Sequence, residues 1–107
     1  MSNIYKGFLE GRGLRIGMAV SRFNETVTSR LVDGALEGLI KHGVSSENID
    51  VAWVPGAFEL PLVAKKLASE GNYDAVICLG AVIKGETSHF DYVSAGAEQG
   101  IVSVALE

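Results

Sequence analysis

The stretch AVICLGAVIKGETSHFDYVSAGAEQG, residues 75–100, decides how the chain folds. Its first nine residues, 75–83, are nearly all apolar and rich in β-branched side chains. That is the pattern of a strand covered on both faces of a parallel sheet. Lys84-Gly85-Glu86-Thr87-Ser88-His89 breaks the run with polar residues and a glycine. From Phe90 the period changes: Val93, Ala97, Ile101, Val104 and Ala105 fall on one stripe of a helix. Ser88 with Asp91 three residues later is a short-armed capping box, which sets the helix start near His89. A polar loop feeding a helix N-terminus offers free backbone N–H groups and the positive end of the macrodipole, a physical site for an anion. The same loop also reads as a plain connection whose Ser and Thr only cap the helix.

Working back from there, residues 14–20 read as the first strand and Ser21-Arg22-Phe23-Asn24 as the loop after it. A helix follows over 25–42, with Val27, Leu31, Ala35 and Leu39 on one stripe and Gly43 ending it. Residues 49–54 form a second strand, Pro55-Gly56 a turn, and 58–70 a second helix. Pro61 falls in that helix's first turn, where its missing N–H does no harm. Leu60, Val63, Ala64, Leu67 and Ala68 make its buried face, and Gly71 stops it. The order βαβαβα predicts a three-layer α/β sandwich around a parallel sheet. Right-handed crossovers put the first strand in the middle, in the flavodoxin-like order 2-1-3.

The 107 residues read as one domain, with 1–10 as an extended N-terminal arm and Gly11-Arg12-Gly13 as a hinge behind it. Hydrophobic residues make up 48% of the chain, so part of the apolar surface is expected to be buried against other chains. A net charge of −4 and the lack of a basic patch argue against nucleic acid or an anionic membrane as partner. No apolar run approaches membrane-spanning length. The N-terminus lacks the apolar core of a signal peptide. The single Cys78 sits in an apolar strand, where an inert thiol in a reducing compartment is the default; the expectation is a cytoplasmic protein.

In open parallel sheets ligands bind beyond the carboxyl ends of the strands. The three loops there carry Phe23-Asn24, Ala57-Phe58-Glu59 and the segment 81–89. The glycines at 11, 13 and 17 precede or enter the first strand, so they make no dinucleotide fingerprint. There is no Walker loop, no metal-ligand spacing, and no receiver aspartate where Asn24 and Lys84 stand. What is left is an uncharged, aromatic pocket with an anion-binding loop and His89, titratable near neutral pH. His42 reads as a helix C-cap. Each candidate also has a plainer reading: Phe23 as a loop plug, Phe58 as core, Glu59 as a dipole partner, His89 as a solvated cap, Lys84 as a surface charge.

SRFN at 21–24, PGAFELP at 55–61 and GAVIKGETSHFDYV at 80–93 resemble the signature segments of the lumazine synthase family, in order and at matching separations across the chain. The resemblance implies a transferase of riboflavin biosynthesis. It condenses 5-amino-6-(D-ribitylamino)uracil with 3,4-dihydroxy-2-butanone 4-phosphate to 6,7-dimethyl-8-ribityllumazine, without metal or organic cofactor. It implies that Phe23 stacks on the pyrimidine and that Ala57, Phe58, Glu59, Ala81, Val82 and Ile83 contact the ring and ribityl chain. Glu86 and Thr87 would meet the phosphate, and His89 would transfer protons. It further implies a homo-oligomer built from pentamers, with N-terminal arms pairing on a neighbour's sheet and active sites between subunits. The family's chain continues past the position of Glu107 with a fourth strand, further helices, a phosphate-binding arginine and a pocket-closing aromatic. The expectation is therefore a fragment, or a second chain supplying the rest. The alternative is a non-catalytic assembly or flavin-binding protein on the same scaffold.

Overall fold

The computed structural model describes residues 9–82 and 89–105. Within them the order is β1 (Ile16–Ser21), α1 (Glu25–Lys41), β2 (Ile49–Val54), α2 (Leu60–Glu70), β3 (Ala75–Leu79) and α3 (His89–Ala105). Short 3-10 turns at Ser46–Asn48 and Ala57–Glu59 lead into β2 and α2. The strands form a parallel sheet in the order β2-β1-β3, as the crossover rule requires. Ile16 is level with Ile49 on one side and Ala75 on the other.

The strand alternation then assigns the layers. Ile16, Met18 and Val20 point to one face and pack with Val32 and Val44, flanked by Ala35, Leu36 and Leu39 of α1 and by Ile77 and Leu79. Ala19 points to the other face and packs with Val54, Ala57, Leu60 and Ala97, flanked by Val63, Leu67, Cys78 and Val93. Helix α1 therefore covers one face and α2 with α3 the other, a three-layer α/β sandwich. The central strand β1 is buried at every position. The third strand is only half-buried, because β1 pairs with it on one side alone among the described residues.

Several boundaries and faces differ from those expected of the sequence. The first strand begins two residues later than position 14, since Arg15 pairs out of the ladder: its N–H donates to Asp74 Oδ2 at 2.8 Å. The third strand ends at Leu79, the last partner of β1, so Gly80, Ala81 and Val82 beyond it are loop. Phe58 belongs to the 3-10 turn ahead of α2. On α1 the contact face is rotated: Thr28 and Val32 are buried, while Val27 and Leu31 are about two-fifths exposed at 43% and 41%. Val27 and Leu31 instead continue the row of Gly34, Ala35 and Gly38, which lines an apolar groove with Leu14 and Ile77. Ala68 and Ala105 also face outward, at the rim of α2 and α3.

The expected hinge at 11–13 is instead a dock. The Gly11 N–H donates to the His42 carbonyl at 2.6 Å, and the His42 ring Nδ1–H donates to the Leu9 carbonyl at 3.1 Å. His42 is the C-cap residue of α1, and Gly43 follows in the left-handed region at φ 100°. That is a position glycine takes without strain.

Candidate functional site

The carboxyl ends of all three strands open at the same edge of the sheet, and the loops leaving them are tied together by backbone. Beyond β1, the Arg22 N–H donates to the Val54 carbonyl at 2.6 Å and the Phe23 N–H to the Pro55 carbonyl at 3.0 Å. These bonds extend the β1–β2 pairing past the strands and hold Phe23 beside the Pro55-Gly56 turn. Asn24 then turns the chain in the left-handed conformation, φ 60° and ψ 54°. Asparagine is among the few residues that tolerate it. The Asn24 carbonyl accepts the N–H groups of Val27 and Thr28, starting α1. Phe23 is left with 59% of its surface open. An aromatic ring so exposed on a backbone so well fixed is a ready stacking platform.

Behind β2 the chain passes through Gly56 into Ala57-Phe58-Glu59. Ala57 is buried in the core under the crevice. Phe58 has two roles, because its ring edge lies against the backbone of Gly96 on α3 while 61% of the residue stays exposed. Any side chain at Gly96 would collide with that ring, and one at Gly100 with the ring of Pro61. The two glycines, one turn apart, let α3 approach the start of α2. Glu59 is exposed and turns its carboxylate back over Gly56. Its N–H donates to the Gly56 carbonyl at 3.2 Å.

Beyond β3, Gly80 carries the chain to Ala81 and Val82, both half-buried, with Val82 packed against the same core as Ala57. The three loops thus bring Phe23, Phe58, Glu59, Ala81 and Val82 to one end of the sheet, with Ala57 buried beneath them. His89 is the first residue of α3, and the structure fixes its place in the chain path there. Ile83, Glu86 and Thr87 lie outside the described residues. Two positions at the crevice escaped the sequence reading. Ser21, the last residue of β1, is fully buried, and among the described residues its Oγ has no hydrogen-bond partner. Gly80 stands next to it. The signal for Ser21 was its parity, a polar residue on the helix-covered side of a strand; Gly80 looked like an ordinary strand end.

Chemistry elsewhere is sparse. Burial raises the Cys78 thiol above its ordinary pKa, so it is a poor nucleophile. A cavity of about 290 Å³ between α2, α3 and β3, lined by Cys78, Tyr73 and Asp74, opens beside the amino end of β3, away from the crevice. Among the described residues there is no cluster of three or more His, Cys, Asp or Glu placed to hold a metal ion, and no helix long and apolar enough to cross a membrane.

A parallel α/β sandwich with an aromatic crevice at the carboxyl ends of its strands belongs to the class in which strand-end loops make the site. The particular family is given by comparison of the sequence with family models. Residues 13–107 match 6,7-dimethyl-8-ribityllumazine synthase, so the chain belongs to that family. The family's place is riboflavin biosynthesis, and its activity is of transferase type.

Proposed function

We propose that this protein condenses 5-amino-6-(D-ribitylamino)uracil with 3,4-dihydroxy-2-butanone 4-phosphate, giving 6,7-dimethyl-8-ribityllumazine, inorganic phosphate and water. The observation that carries the reading is the crevice itself, with the open ring of Phe23 held at the carboxyl end of β1 by its bond to Pro55. In this reading Phe23 stacks on the pyrimidine. Ala57, Phe58 and Glu59 from one loop and Ala81, Val82 and Ile83 from the other line the ring and the ribityl chain. Glu86 and Thr87 meet the phosphate near the start of α3, where backbone N–H groups favour an anion.

The chemistry needs protons moved more than it needs a cofactor. The pyrimidine's primary amine attacks the butanone carbonyl, the new carbinolamine loses water, and an imine results. Removal of a proton from the adjacent carbon expels phosphate as the C–O bond breaks. The resulting enol takes up a proton at the terminal carbon, turning the former C3 hydroxyl into a carbonyl; the ribitylamino nitrogen then closes the ring on that new carbonyl, and water leaves again. His89 takes and returns these protons, a task suited to a group that titrates near neutrality. Holding the phosphate in place beforehand favours the charge that develops as it leaves.

The working form is a homo-oligomer, built from pentamers and cytoplasmic, with residues 4–9 adding to a sheet edge of a neighbour. The outward apolar residues support assembly: Val51 and Trp53 of β2 are 37% and 41% exposed, with the groove beside α1 also open. The reaction is tested by mixing the two substrates with the protein and following lumazine absorbance together with released phosphate. Stoichiometric formation of both is expected; neither appearing above the uncatalysed rate, with the protein folded and assembled, rules the reading out.

A further inference from the structure

The crevice depends on a contact that has no functional group in it. A β-carbon at Gly80 would stand 2.9 Å from Leu60 Cδ1, 3.3 Å from Ser21 Oγ and 3.5 Å from Ala57 Cβ. The nearest of them, Leu60 Cδ1, ends a side chain that can turn only within a packed core, Ser21 Oγ must give by a few tenths of an ångström, and Ala57 is at ordinary contact distance. Leu60 is 3% exposed, Ser21 is fully buried, and Ala57 is 5% exposed at the turn into α2. Ser21 ends β1, Ala57 leads off β2 and Gly80 leaves β3, so the contact joins the three loops at their common root. The residues immediately beyond Gly80 are Ala81 and Val82, which line the crevice. The Ser21 hydroxyl fits the same account: the side chain there is small although, among the described residues, its Oγ has no hydrogen-bond partner.

We propose that Gly80 is a positioning residue for the pyrimidine subsite, acting through the backbone of Ala81 and Val82. The missing side chain lets β3's exit pack directly on Ser21 and Ala57, and so sets how far Ala81-Val82 stands from the ring of Phe23. A methyl group at position 80 meets the buried end of Leu60 and crowds the Ser21 hydroxyl, so either Leu60 turns within the core or the exiting backbone lifts away. The second response widens the slot into which a planar ring must fit. The phosphate-binding and proton-transfer groups assigned above lie further along the chain, so the ring should feel the change first. This inference rests on the proposed substrate, and the experiment separates the two.

The variants are Gly80→Ala, Leu60→Val and the double substitution, each in the assembled full chain. A ribitylamino-pyrimidinedione that cannot condense is titrated by calorimetry, and steady-state rates are taken with both substrates. Base–aromatic stacking is worth roughly ten- to a hundredfold in affinity, so Gly80→Ala, which loosens it, should bind the pyrimidine roughly tenfold more weakly. KM for that substrate should rise by a similar factor, while kcat and KM for the butanone phosphate change much less. Leu60→Val, which removes the nearest carbon, should restore most of the affinity in the double variant and leave affinity unchanged alone. Equal affinity of Gly80→Ala and the unsubstituted protein overturns the inference and leaves the function standing. So does a loss that appears only as a lower melting temperature or a lower kcat, or one that Leu60→Val fails to relieve. If the unsubstituted protein itself does not bind the pyrimidine, the functional reading fails, and the inference with it.

Discussion

At the scale of single residues, Phe23 and His89 carry the most exposed claims. Phe23 is open to solvent and its backbone is pinned to Pro55, so its ring is free to stack on a ligand. Phe23→Ala should weaken binding of the pyrimidine by about 1–3 kcal/mol, the scale of base–aromatic stacking. Phe23→Tyr and Phe23→Trp should be mild, and calorimetric titration of the three variants checks the order. If His89 moves the protons as proposed, His89→Ala should slow turnover by about 10²–10⁴ while substrate binding is largely spared. Single-turnover rates beside equilibrium affinities distinguish that outcome from simple loss of a contact. The aromatic at position 23 could be singled out from sequence because it follows the first strand of a parallel sheet. Its exposure could not, since a loop phenylalanine is as often a plug as a platform.

At the scale of elements, the amino end of the sheet is closed by Tyr73. Its ring packs over Gly17 on β1, the guanidinium of Arg15 stands 5.9 Å from the ring centre, and its hydroxyl donates to Asp50 on β2. The neighbouring Asp74 N–H donates to the Arg15 carbonyl at 2.7 Å, so the loop before β3 is stitched across the other two strands. The hydrogen bond to Asp50, with some desolvation and the Asp50 charge, raises the Tyr73 pKa above its ordinary value of 10.0. A raised pKa means that the neutral form is favoured by folding. The contribution is therefore complete below pH 10 and is lost as pH climbs through the raised value. Tyr73→Phe should remove that alkaline limb from a plot of unfolding free energy against pH and leave the neutral and acid limbs parallel to the original. At the other end, Gly96→Ala forces the exposed Phe58 ring off α3, where it has room to swing away. The lost contact is offset by about 1 kcal/mol of helix propensity, so chemical denaturation should register little net change. A second consequence should be a more mobile Phe58 at the crevice.

At the scale of the whole molecule, the apolar surface left by the three described layers is the main fact. Trp53 and Val51 on the edge strand β2 are partly open, and so are Val27 and Leu31 on the flank of α1. Those two α1 residues form, with Ala35 and Leu39, the stripe that periodicity selects. Periodicity finds how wide the apolar arc is, but not which part of it meets the sheet; that depends on where the helix crosses β1 and β3. If assembly goes through the arm, deleting residues 1–10 should lower the mass found by light scattering. Emission from Trp53, the single tryptophan, should shift to the red as its surroundings become wetter. Unchanged mass and emission on deletion would remove the arm from the interface.

The sequence by itself determined the order of strands and helices, the parallel sheet and its 2-1-3 arrangement. Those follow from local periodicity, from turn residues such as Pro55-Gly56 and Gly43, and from the handedness of crossovers, all of which act over short stretches of chain. It also marked the strand-end loops as the place for chemistry. The tertiary structure decided what depends on close approach between distant segments. That includes the docking of Gly11 on His42, the rotation of α1 onto Thr28 and Val32, and the seat of Phe58 against Gly96. It includes above all the meeting of Ser21, Ala57 and Gly80 at the root of the crevice. No pattern along the chain encodes such a meeting, because a residue without a side chain has a role only in relation to what packs where that side chain would have been.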